Sequence, residues 1–81
     1  MQWRKRAAPS FFSSMRTLTS DQRLMVQEIA KQLERDPEAI HLQPIIYANG
    51  DYEVESGGVW VRYRINRHKG EIIFLRAEAT M

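Results

Sequence analysis

The chain has 81 residues, 43% hydrophobic and 27% charged, with a net charge of +2 and no cysteine. That length makes one domain, residues 1–81, with a modest core. The composition excludes an intrinsically disordered chain, the missing thiols exclude a disulfide framework and a thiolate zinc site, and no apolar run approaches the roughly 20 residues of a membrane helix.

The charge is unevenly placed. Residues 1–20 carry four bases and no acid, residues 21–56 eight acids against three bases, and residues 57–81 five bases against two acids. If the two ends meet in space, they make a basic surface on a nearly neutral protein. A cysteine-free chain suits the reducing cytoplasm. A basic, acid-free start also fits an organelle transit segment, although trimming it would leave little to fold.

In chain order, "QWRKRA" reads as a short strand, with Trp3 and Lys5 on one face and Arg4 and Arg6 on the other. Pro9 suits the first turn of a helix, where its missing N–H costs nothing. Phe11, Met15 and Leu18 then form one apolar stripe on a helix over about residues 9–17. Thr19 and Gln22 have capping-box spacing, and Asp21 adds negative charge to the first turn. Met25, Val26, Ile29, Ala30 and Leu33 follow at helical spacing, and Pro37 ends this second helix near Arg35 or Asp36. A connection of about two residues predicts an antiparallel helical hairpin.

From residue 38 the pattern changes. "IHLQPII" reads as loop or extended chain interrupted by Pro44, and "ANGD" carries a turn signal. "YEVES" alternates, with Tyr52, Val54 and Ser56 on one side and Glu53 and Glu55 on the other. "VWVRYRIN" alternates again, with Val59, Val61, Tyr63 and Ile65 inward and Trp60, Arg62, Arg64 and Asn66 outward. "EIIFLRA" is apolar on both sides in its middle, which predicts a central or doubly covered strand of undecided register. The sum is an α+β fold: a short N-terminal strand and a helical hairpin packed on one face of a small antiparallel sheet, the other face left free.

With "LERDPE" closing the helices, "DYEVESGGVWVRYRI" as the hairpin and "GEIIFLRAEA" as the last strand, the chain resembles the RelE/ParE superfamily of bacterial toxin–antitoxin toxins over nearly its whole length. The resemblance implies a toxin neutralised by an antitoxin that wraps it. It also implies action on messenger RNA at the ribosome or on DNA gyrase, with metal-free chemistry in the ribonuclease branch. The match is incomplete. Asp51, Glu53 and Glu55 stand where that branch places lysines, Trp60 stands at its strand arginine, and "RAEATM" offers no counterpart to its terminal arginine and tyrosine. No catalytic residue carries over.

Metal-free RNA cleavage needs a base, an acid and cations for the developing phosphate charge. His68, between Arg67 and Lys69, is the candidate base, because flanking cations favour the neutral imidazole; an exposed turn histidine is the plainer reading. The binding candidates are Trp60, Arg62, Arg64, Arg67, Lys69 and Arg76, extended by Arg4 and Arg6. Arginine forks match phosphate oxygens, and Trp60 offers a stacking surface for a base. The competing reading pairs Arg62 or Arg64 with Glu53 or Glu55 across the strands, which stabilises by at most about 1 kcal/mol. No metal-ligand spacing, phosphate-cradling glycine loop or Ser/His/Asp constellation is present, so no metal or other cofactor is expected.

Overall fold

The computed structural model describes residues 3–80, so Gln2 of the expected first strand lies outside the described residues. Elements run β1 (Arg4–Ala7), α1 (Pro9–Met15), α2 (Ser20–Arg35), a single 3₁₀ turn (Ile40–Leu42), β2 (Ile45–Ile46), β3 (Tyr52–Ser56), β4 (Val59–Asn66) and β5 (Glu71–Ala79). Among the described residues, no helix is long and apolar enough to cross a membrane.

The five strands form one sheet in the order β1-β5-β4-β3-β2. It is mixed rather than purely antiparallel: β1 runs parallel to β5, with Arg4 opposite Glu71 and Ala7 opposite Phe74. The connection between β1 and β5 is everything from α1 through β4, well beyond the roughly dozen residues a parallel pairing requires. β5 therefore sits between β1 and β4, which explains its apolar middle.

α2 begins at the expected capping box. Thr19 Oγ1 accepts the Gln22 N–H at 3.2 Å, and Gln22 Oε1 accepts the Thr19 N–H at 2.8 Å. The helix buries Val26, Ile29 and Leu33 in one stripe. α1 starts with Pro9, turns Phe11 and Met15 toward the core and leaves Phe12 in solvent. It ends at Met15, earlier than expected, so four residues connect the helices and Leu18 is buried from that connection.

The helices do not close on each other as a tight hairpin. Both lie on the sheet, and a groove of about 410 Å³ remains between them, lined by Phe11, Phe12, Met15, Val26 and Ala30. The sheet's helix side supplies the rest of the core: Val54, Val59, Val61, Tyr63, Ile72, Phe74 and Ala77. Between β4 and β5 the register shifts at Arg62/Tyr63: Arg62 pairs with Arg76, but Tyr63 pairs with Phe74. Leu75 is the extra residue of a bulge, and alternation alone could not have fixed the register of this hairpin.

Candidate functional site: the bare face of the sheet

Strand alternation places one set of side chains away from the helices. Registers put Trp60 opposite Glu55 and Glu78, Arg62 opposite Glu53 and Arg76, and Arg64 opposite Ile73. β1 adds Arg4 opposite Glu71 and Arg6 opposite Ile73. The structure thus brings Trp60, Arg62, Arg64 and Arg76 onto one surface with Arg4 and Arg6.

These arginines are not loose. Arg62 donates to Glu53 Oε1 at 3.0 Å, and Arg64 Nε donates to Asp51 Oδ1 at 2.8 Å. Arg76 is paired with Glu78 two residues along its own strand. The buried Glu71 carboxylate lies 3.7 Å from Arg4 and 3.8 Å from Arg6. The Arg62 and Arg64 guanidinium groups are both held above their ordinary pKa, first by the hydrogen bond to their carboxylate. Burial works against this at Arg62, whose side chain is 37% exposed.

Arg62 is also the centre of a stack. Its guanidinium carbon lies 4.4 Å from the Tyr47 ring centroid and 5.8 Å from that of Trp60. Tyr47 in turn donates its hydroxyl to Glu53 Oε1 at 3.1 Å. Tyr47 and Arg62 share Glu53 as hydrogen-bond acceptor, Trp60 lies beside the guanidinium, and cation–π contact and ion pairing together fix the arginine fork. Such a cluster offers aromatic surface and an oriented cation to a ligand. It presents far less net positive charge than the sequence pattern implies.

The remaining candidates sit in the β4–β5 turn. Arg67 pairs with Glu38 and reaches the Tyr52 hydroxyl at 3.4 Å; Tyr52 stacks on Tyr63 on the helix side. Arg67 is therefore drawn away from the bare face. His68 and Lys69 are exposed in the turn, and the Lys69 carbonyl accepts a hydrogen bond from Arg4 at 3.3 Å. Among the described residues, Lys69 has no carboxylate partner and no group of His, Asp and Glu could hold a metal ion.

Two participants escaped the sequence reading. Tyr47 lies in what read as a loop and turn, and Asp51 precedes β3, one residue before the alternating pattern starts. The Asn-Gly turn is the signal that could have brought both toward the sheet, because it folds residue 47 back onto residue 51: the Tyr47 N–H donates to the Asp51 carbonyl at 2.8 Å.

No family model and no curated protein sequence matches the chain. Solved structures do. A chain of the RelBE2 toxin–antitoxin complex from Mycobacterium tuberculosis superposes with a TM-score of 0.84 at 18% identity, covering 98% of this chain and 99% of that one. A chain of the archaeal RelE–RelB complex from Pyrococcus horikoshii superposes with a TM-score of 0.78 at 17% identity, covering 98% and 96%. Two helices on one side of a five-stranded mixed sheet are thus shared over essentially the full length, and the chain has a RelE-like fold.

Proposed function

We propose that this protein is the toxin component of a toxin–antitoxin pair. It is held inactive by an antitoxin protein and acts in the cytoplasm of a bacterial cell on the translation machinery or on DNA gyrase. The observation that carries the reading is the likeness of fold to chains of two toxin–antitoxin complexes, each matched over 98% of this chain. The bare sheet face is the target-contacting surface in this reading. Trp60 supplies a stacking platform, Arg62 and Arg64 supply oriented forks, and Arg76 and Lys69 extend the contact.

The ion pairs favour docking over cleavage on this face. A fork already bonded to Glu53 or Asp51 stabilises developing phosphate charge poorly unless the carboxylate is displaced. His68 is exposed in the β4–β5 turn, and in a cleaving protein it would be the base that takes the proton of the attacking hydroxyl. The same pairing supports a second reading, a non-enzymatic module that binds nucleic acid or a protein through the Arg/Trp surface.

Induced expression in a bacterial host tests the proposal. Growth should stop on induction and resume when the small protein encoded beside this chain is co-expressed. Cells that grow on regardless would remove the toxin reading and leave the binding module.

A further inference from the structure

The two edges of the sheet are built differently. β1 ends one side and carries Arg4, Lys5 and Arg6 in succession, all exposed. Charged side chains on an edge strand are a common device against edge-to-edge pairing. β2 ends the other side and lacks that device. From Ile40 to Gly50 the chain has no Asp, Glu, Lys or Arg. Three isoleucines stand in solvent along this stretch: Ile40 is 78% exposed, Ile45 55% and Ile46 63%.

The backbone of this edge is also open. Ile45 pairs with Glu53 and Ile46 with Tyr52, and the Tyr47 N–H is bonded to the Asp51 carbonyl. Hydrogen-bonding direction alternates along an antiparallel ladder, so the N–H and C=O of Ile46 point away from β3, into solvent. Ile45 shares the bare face with Glu53, and Ile46 shares the helix side with Tyr52, so both sides of the open edge are apolar.

We infer that the uncharged β2 edge pairs with the β2 edge of a second copy of this chain, joining two five-stranded sheets across a two-fold axis at Ile46. The two Ile46 residues exchange N–H···O=C bonds, and Ile45 of each copy faces Tyr47 of the other. The occupant is a second copy for two reasons. A neutral apolar edge is complementary to itself, whereas an edge of one charge sign repels its own copy. Pairing through β2 also leaves the cationic β1 strands at both ends of the joined sheet, so the assembly closes at two. A contact built on so short a strand falls below the ~1,200 Å² of standard interfaces, so the dimer is transient and concentration-dependent. The inference rests on this edge alone and not on the proposed function.

Sedimentation velocity on the full-length chain tests it. Between about 10 μM and about 1 mM, the range expected of a small interface, the average mass should climb from 9.5 kDa toward double that value. The rise should be the same at about 0.1 M and about 1 M salt, because no ion pair is involved. Ile46→Pro removes the outward N–H without removing a bond to β3, and Ile45→Lys places a charge on the edge. Each should weaken association at least about tenfold, the equivalent of about 1.4 kcal/mol, while keeping the far-UV circular dichroism of the parent. If Ile46→Pro does not fold, Ile45→Lys decides. A parent chain that stays monomeric throughout would overturn the inference. So would folded variants that associate as well as the parent, assembly beyond two, or association that salt dissolves.

Discussion

Tyr63 is fully buried in β4, yet it brings a hydroxyl into the core. The hydroxyl donates to the Pro37 carbonyl at 2.9 Å and so ties the end of α2 to the middle of the sheet. Burial, reinforced by Tyr52, Glu38 and Asp36, pushes the phenol well above its ordinary pKa. The sign of the linkage follows. With the folded pKa raised above the unfolded value of about 10, this contribution is complete below pH ~10 and is lost as pH climbs further, because only the unfolded chain ionises there. Tyr63→Phe should cost about 1–2 kcal/mol at neutral pH by orphaning the Pro37 carbonyl. It should also flatten the alkaline fall in stability. Urea unfolding from about pH 8 to about pH 11 reads both effects, and an equally steep alkaline fall in the variant would remove Tyr63 as its source.

At the scale of elements, local signals were enough wherever a pattern repeats. The Thr19–Gln22 box, the Val26/Ile29/Leu33 stripe and the alternation of β3 and β4 all read directly from neighbouring residues. Elements fixed from a distance did not. The direction of β1 is set by β5, more than sixty residues away, and nothing in "RKRA" encodes a parallel partner. β2 has two residues, too few to show a period. The β3–β4 turn is the sharpest local prediction. Gly57 and Gly58 both take positive φ, 60° and 86°, as a two-residue hairpin of the primed type requires. A Cβ at Gly57 would fall 2.5 Å from Met25 Cε and 2.8 Å from its sulfur. The thioether end can swing aside, but the backbone cost remains. Gly57→Ala should therefore destabilise by about 1–2 kcal/mol, and adding Met25→Ala should not restore the loss. Thermal unfolding of both variants is the check, and full rescue by the second change would show that crowding, not φ, sets the cost.

Across the whole molecule, the bare face and one of its ion pairs are legible in the sequence, and the contacts of Asp51 and Tyr47 are not. Alternation alone put Trp60, Arg62 and Arg64 on one side, and they are there. Glu53 could be anticipated as the partner of Arg62 because it lies on the adjacent strand. The Asp51–Arg64 bond could not, since Asp51 stands outside the strand pattern and its partner is set by how the 47–51 turn closes. Nor could the Tyr47 stack, because Tyr47 reaches the face only once β2 has joined the sheet. Of the two sequence readings, an open anion-binding face and cross-strand pairing with glutamates, the second holds for Arg62, and the face is charge-balanced around that arginine.

If the chain is a toxin, as proposed, that face is where it meets its target. Viable counts after induction, compared for the parent chain and a Trp60→Ala/Arg62→Ala variant shown to be folded and equally expressed, test this most directly. The parent chain should collapse the count, and the variant should leave it near that of uninduced cells. Equal loss of viability from both chains, or none from the parent, would contradict it.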